Sequence, residues 1–312
     1  HKAVQQAARE FAQNVLKPGV IERDEHQKFP VEEIKQLAEL GFMGMMVSPE
    51  YGGSGMDTLS YVLAMEEISK IDASTSVCMS VNNSLVTWGL EAFGNEEQKK
   101  KYLYPVINGE KRTCFALTEP GAGSDPSGML TTALREGDHY RINGSKIYIT
   151  SADKADFVQL FVKTGDTGSG SGVSCFLIDK GTPGMRLGQN FELMSPDRPW
   201  ELVFDDVRVH ASQMVGEPGQ GWELAREFLD VGRLIHGPKA LGRAQRALEM
   251  AVDFANQRQT FGQSLARRQA IQWMIADSGM ELYASKLMVL HAAYKIENKL
   301  EFKTEVSYAK HY

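Results

Sequence analysis

Chemistry is concentrated first in Thr118-Glu119-Pro120-Gly121-Ala122-Gly123-Ser124-Asp125, which follows the apolar stretch Cys114-Phe115-Ala116-Leu117. Glycines let backbone approach a ligand closely, and free N–H groups beside the Ser124 hydroxyl can hold a phosphate or the polar edge of a ring. The same composition also describes an ordinary surface loop. It is not a dinucleotide fingerprint, because the glycine spacing differs and no βαβ pattern surrounds it. A second cluster, Tyr148-Ile149-Thr150, closes an alternating stretch and offers an aromatic face beside a hydroxyl, or else a plain cross-strand aromatic. Arg258 stands in a loop just before Phe261-Gly262. An Arg fork suits phosphate, although a loop Arg is commonly only a solvated charge.

Other chemistries find no support in the pattern. There is no Walker loop, no Gly-x-Ser-x-Gly elbow and no His pair at metal-ligand spacing, and His236 and His291 read as packing or surface residues. Cys78, Cys114 and Cys175 are far apart and odd in number, which argues against a disulfide framework and for a reducing compartment. The formal charge of -6 gives no bulk attraction to nucleic acid or anionic membrane. No apolar run approaches the roughly 18 residues that span a bilayer.

The elements that must carry these residues follow from periodicity. Up to about residue 108 apolar residues recur at three and four (Val4, Ala7, Ala8, Phe11; Ile34, Leu37, Ala38), broken by Pro18-Gly19, Pro30, Tyr51-Gly52-Gly53 and Gly94-Asn95 into about five helices. The period then becomes two. Tyr140 to Ile149 alternates about Asn143-Gly144, which predicts a tight hairpin turn there. Strands are expected at Phe157 to Val162, Val173 to Ile178 and Glu201 to Val209, with a Gly/Ser/Thr linker at Gly165 to Gly172. From Gly219 helices return, about Gly221 to Arg258 and Leu265 to Asn298, around a loop at Phe261-Gly262. The Met-rich positions Met43, Met45, Met46 and Met274 read as core filling. The expected class is α+β: an N-terminal helical domain at 1–112, a small middle β domain at 113–215 and a C-terminal helical domain at 216–312.

Four motifs in order give the chain a family resemblance: Thr118 to Asp125, Asn143 to Ser151, Val203 to Val209, and Arg258 to Gly262 with Gln269 eleven residues after Arg258. Together with Tyr51-Gly52-Gly53 and Gly94 to Tyr102, the sequence resembles the acyl-CoA dehydrogenase family, and its closing helices resemble the short-chain branch. The resemblance implies FAD as cofactor. It lays the backbone of Phe115, Ala116, Leu117 and Thr118 along the flavin ring, and gives Ser124 to both the FAD pyrophosphate and the CoA end of the substrate. Tyr148, Ile149 and Thr150 would cover the opposite side of the ring, with Thr150 near N5. Arg258, Phe261 and Gln269 would reach the FAD of a neighbouring subunit. Asp230 and Arg233 match CoA-contacting positions, although a charged pair on a helix is also a common surface salt bridge.

The implied reaction is α,β-dehydrogenation of an acyl-CoA thioester to the trans-2-enoyl-CoA. Electrons would pass to an electron-transferring flavoprotein, and the assembly would be a homotetramer, a dimer of dimers. The compartment would be the bacterial cytoplasm or the mitochondrial matrix. The same fold would also serve a flavin oxidase or monooxygenase, or a catalytically silent scaffold protein. Three departures qualify the match: Tyr148 stands where the family usually has Trp, Ser195 to Trp200 replaces an Arg, Ser and Thr pattern, and Gly232 fills the helix position from which one branch draws its catalytic Glu. The family usually continues past the position of Tyr312, so the chain reads as C-terminally truncated and the catalytic base is expected beyond Tyr312.

Overall fold

The computed structural model describes residues 1–165, 172–193 and 198–312. The first helices are α1 (Lys2–Phe11) and α2 (Lys17–Glu25), joined without a break by a π-helical stretch, Ala12–Leu16, and then α3 (Val31–Glu39) and α4 (Thr58–Ser69). Next come α5 (Ala73–Ser80) and α6 (Trp88–Phe93), bridged by the π stretch Val81–Thr87, and the short α7 (Glu96–Gln98) and α8 (Tyr104–Ile107), bridged by Lys99–Leu103. Asn95 caps α7 reciprocally: its side chain accepts from Gln98 N–H while Gln98 accepts from Asn95 N–H. The strands are β1 (Thr113–Ala116), β2 (Thr132–Glu136), β3 (His139–Ile149), β4 (Phe157–Lys163), β5 (Val173–Asp179), β6 (Met185–Asn190), β7 (Trp200–His210) and β8 (Met214–Val215). The long helix α9 (Gly221–Gln257) leads into a small hairpin, β9 (Gln259–Thr260) and β10 (Gln263–Ser264), followed by α10 (Gln269–Glu297) and α11 (Lys303–His311).

The chain forms two compact units. One comprises Arg23–Gly55 and Cys78–Leu229 and holds an eight-stranded sheet ordered β6-β7-β3-β2-β4-β5-β8, with β1 added parallel to β4. β4 and β5 are buried on both faces, so both read as near-continuous apolar runs. Phe157, Phe161 and Cys175 join Leu90, Tyr102 and Leu103 on one side; Val158, Leu160 and Phe176 join Ala116, Ile142 and Val207 on the other. β1 is locked at its start by Asp156, whose carboxylate accepts from Arg112 N–H (2.7 Å) and whose own N–H donates to the Arg112 carbonyl (2.8 Å).

The second unit, His1–Glu22, Met56–Val77 and Asp230–Tyr312, is helical. Ion pairs stitch α4 to its neighbours: Arg9 to Glu67 (2.7 Å), Lys70 to Glu249 (2.5 Å) and Lys286 to Glu66 (2.8 Å). α9 approaches α4 through Gly242, where a Cβ would stand 2.3 Å from the Glu66 carbonyl oxygen. Here glycine is required by contact rather than by backbone angle.

The α+β class and the helices, sheet, helices order stand as expected. The hairpin expected at Asn143-Gly144 does not form. β3 runs through both residues, and a bulge in its partner sets Ile142 opposite Val207 and Gly144 opposite Phe204. Asn143 keeps the bulge by accepting from Asp206 N–H and donating to the Asp206 carboxylate, both at 2.9 Å, and Asp206 rather than Asn143 takes the positive φ. Gly144 is needed because a Cβ would lie 2.7 Å from Thr131 Cα. The tight turn comes earlier, at Gly137 between β2 and β3. Met274 is exposed on α10, unlike the buried Met43 and Met45. β2, β6 and β8 lie outside the elements expected from the pattern, while the helical period expected to persist to the chain end appears as α11.

Candidate flavin and acyl-CoA site

The end of β1 supplies backbone more than side chains. Ala116 and Leu117 are buried, Phe115 turns toward the Phe161 ring with centroids 4.9 Å apart, and Thr118 is half-buried. Beyond it the Gly-rich loop is open: nothing lies within 4 Å of where a Cβ on Gly121 or Gly123 would stand. Glu119 and Ala122 exchange two backbone hydrogen bonds at 3.1 Å and give the loop its shape.

β3 runs beside this strip, and Ile147 N–H donates to the Thr118 carbonyl (2.9 Å). Inward positions alternate through Tyr140, Ile142 and Lys146; a bulge at Ile147–Tyr148 then inverts the parity, so Ile149 is buried and Tyr148 points out. Tyr148 adopts φ 57° and its ring lies 4.7 Å from that of Phe191, 55% exposed. A bulky residue held left-handed costs about 1–3 kcal/mol and persists only where its surroundings over-determine it. Thr150 lines a small cavity of about 30 Å³ with Cys78, Val81, Asn82, Thr113 and Ser151. The buried Thr113 hydroxyl there has no hydrogen-bond partner. Among the described residues the hydroxyls of Thr118, Ser124 and Thr150 also make no hydrogen bond within the chain.

The strip is tied together by a buried ion pair that the motifs did not single out. Lys146, wholly buried, donates to Glu119 (2.7 Å) and to the Leu117 carbonyl (3.0 Å). Glu119 also accepts from Leu130 N–H (2.5 Å) and Thr131 N–H (3.0 Å). Burial alone would raise the Glu119 carboxyl, but the Leu130 and Thr131 donors and the Lys146 ammonium together hold it below its ordinary range. Burial pushes the Lys146 ammonium down, offset only in part by Glu119. The available signal was parity: a Lys at an inward position of an alternating strand requires a partner.

In the helical unit Arg258, Phe261 and Gln269 come together around the β9–β10 hairpin. Phe261 and Gly262 both take positive φ, as a primed two-residue turn requires, and this leaves the Phe261 ring 98% exposed. Leu265 N–H donates to the Arg258 carbonyl (2.9 Å), and Gln269 opens α10. Arg268, missed in the sequence, shapes the turn by donating to the Thr260 carbonyl (2.8 Å) with its guanidinium 5.7 Å from the Phe261 ring centre. Among the described residues the Arg258 and Gln269 side chains have no partner within the chain. Arg233 is exposed on α9, close to Gly232, while the side chain of Asp230 lies outside the described residues. So do residues 194–197, which carry the first half of the departure expected at Ser195 to Trp200. Among the described residues no group of His, Cys, Asp or Glu could hold a metal ion.

The features of the sheet unit fit a planar, polar-edged cofactor: an open glycine cradle, three uncommitted hydroxyls and an outward aromatic; the helical unit separately presents an uncommitted Arg. Family models describe the acyl-CoA dehydrogenase N-terminal domain at residues 1–110, the middle domain at 114–207 and the C-terminal domain at 219–312. The chain is 40% identical over 309 residues to "Acyl-CoA dehydrogenase, short-chain specific" of Clostridium acetobutylicum, covering 98% of this chain and 82% of that protein. It is 39% identical over 315 residues to "Caffeyl-CoA reductase-Etf complex subunit CarC" of Acetobacterium woodii, covering 100% and 83%. Butyryl-CoA dehydrogenase from Megasphaera elsdenii superimposes with a TM-score of 0.93 at 38% identity, covering 99% of this chain and 82% of that one. The chain belongs to the acyl-CoA dehydrogenase family and has its fold.

Proposed function

We propose that this protein binds FAD and removes the α and β hydrogens of an acyl-CoA thioester to give the trans-2-enoyl-CoA, with an electron-transferring flavoprotein as acceptor. The observation that carries the reading is the strip from Phe115 to Thr118 lying beside Tyr148 to Thr150, with the Thr118, Ser124 and Thr150 hydroxyls uncommitted. When bound, the flavin supplies the acceptor for the β hydrogen as hydride. The chain's own task is to hold ring and substrate. Backbone from Phe115 to Thr118 lies along the ring, the Thr118 hydroxyl meets its polar edge, and Tyr148, Ile149 and Thr150 cover the opposite side. Ser124 serves the pyrophosphate and the CoA end, and Asp230 and Arg233 serve CoA. Arg258, Phe261 and Gln269 hold the pyrophosphate and adenosine half of a neighbouring subunit's FAD, which asks for at least a dimer, and the family resemblance makes it a homotetramer. The subunit of the reductase-Etf complex supports the acceptor, and the short-chain relative supports short straight acyl groups.

An α C–H is a very weak acid. Hydrogen bonds to the thioester oxygen that strengthen as enolate charge develops, together with a desolvated carboxylate base, bring its removal within reach. Gly232 supplies no carboxylate, so the base does not come from that helix position. The three segments 1–112, 113–215 and 216–312 would act as helical, flavin-facing and helical parts, and the family's reducing compartments suit three cysteines that are free. No helix among the described residues is long and apolar enough to cross a membrane.

The test is direct. Heat-released cofactor from the purified protein should be FAD, and anaerobic titration with a short straight acyl-CoA should bleach its visible band. Recovery of FMN, or bleaching only by long-chain or aromatic thioesters, would overturn the cofactor or the chain-length reading respectively. Rapid reoxidation by air would point to an oxidase, and a colourless protein to a scaffold.

A further inference from the structure

We infer that Lys146 and Glu119 are a positioning pair that sets the spacing between the end of β1 and the end of β3, and thereby shapes the flavin cradle without touching it. The inference rests on the proposed flavin site. Lys146 is 0% and Glu119 5% exposed at the side chain, so neither can meet a ligand directly. Their contacts nonetheless converge on backbone. Lys146, on β3, donates to the carbonyl of Leu117; Glu119, one residue past Thr118, accepts from Leu130 and Thr131 on the returning side of the Gly-rich loop. The same junction carries the Ile147-to-Thr118 hydrogen bond and, one residue on, the left-handed Tyr148. Three segments are thus fixed at one point.

Energetics say why this is a specification and not merely filling. A buried ion pair gains little over apolar residues of the same volume, and breaking it from one side is expensive. Apolar side chains would fill the space but could not select which carbonyl or N–H sits where. Charged donors and acceptors do, because each unsatisfied alternative leaves a buried polar group unpaired. Glu119 opens the turn of the loop by its reciprocal backbone bonds with Ala122, so a shift of its carboxylate also moves Gly121 to Ser124.

The experiment compares Lys146→Met, Glu119→Gln and the uncharged double variant with Val209→Ala, a β7 core truncation opposite Tyr140 at the other end of β3, matched by melting temperature. Lys146→Met should weaken FAD binding in equilibrium dialysis by about tenfold or more and move the visible flavin bands toward those of free FAD, with Glu119→Gln intermediate. Val209→Ala should do neither. In flavin-free protein, the Ile147 and Thr131 amides should exchange faster in Lys146→Met than in the matched control. This readout stands whether or not the wild type retains FAD, so failure of the flavin reading and failure of the pair are separable. If Lys146→Met does not fold, the double variant, which leaves no unpaired buried charge, carries the same expectations. FAD affinity within twofold of wild type, unmoved bands and control-like exchange in a folded variant would show the pair to be ordinary core and overturn the inference.

Discussion

Arg258 sits at the base of the β9–β10 hairpin with its backbone committed and its guanidinium uncommitted among the described residues. If it holds a pyrophosphate, Arg258→Ala removes one charge-assisted contact worth about 1.5–3 kcal/mol, a loss of roughly ten- to a hundredfold in FAD affinity. Acyl-CoA affinity should change far less. Dialysis of each ligand checks this, and full FAD retention through extensive dilution would remove Arg258 from the site. Glu119 makes a different kind of prediction, one of pH. Its folded pKa is depressed, so the stability it confers is complete above its unfolded value, about 4.3, and is lost as pH falls through the lower folded value. Denaturant titrations of wild type and Glu119→Gln should therefore differ most near neutrality, begin to converge as pH falls below the unfolded value and meet only below the depressed folded one. A gap that stays constant down to acid would mean that Glu119 is not held ionised.

Among the elements, β3 shows how far the sequence reads and where it stops. Its alternation was legible, and so were β4, β5, β7 and the extent of α9, because apolar period and breakers agree there. Asn143-Gly144 misled because the dipeptide satisfies two different demands. In a hairpin it supplies positive φ; here Asn143 caps a bulge in β7 and Gly144 makes room for Thr131. Only the partner strand decides between them, and that partner is some sixty residues away. The Lys146–Glu119 pair was hidden for a similar reason, since twenty-seven residues separate two charges that read singly as surface. Short strands such as β8 were invisible because pairing, not composition, makes them. Gly144→Ala tests the contact reading: with φ at 144° and a Cβ 2.6 Å from the Thr131 hydroxyl, the backbone must shift, at a cost of about 1–3 kcal/mol. Gly137→Ala, whose Cβ would meet nothing within 4 Å, should cost only the backbone strain, the smaller loss in the same urea titrations.

At the scale of the whole molecule, the helical unit carries large apolar side chains in water: Met250 and Phe254 on α9, and Trp273, Met274, Met280 and Tyr283 on α10. Soluble proteins rarely leave so many on neighbouring helices, and such a patch marks a surface that further polypeptide covers. With Arg258 and Phe261 at the far end of α9, the same assembly would bring this hairpin to a neighbour's flavin, so association and cofactor retention should be one property. The net charge of -6 opposes association only weakly at physiological salt, where screening acts within about 8 Å. The homotetramer that the family resemblance implies should give four times the 34.7 kDa chain mass in light scattering. Met280→Lys with Tyr283→Lys would place two unpaired ammonium groups against apolar surface, a penalty of several kcal/mol per contact, and should shift the mass down while leaving each chain folded by circular dichroism. The same variant should lose FAD on gel filtration although none of its cradle residues is altered. A dissociated variant that keeps a full complement of FAD would show that each subunit holds its cofactor alone, and an unchanged mass would move the interface to another face of the molecule.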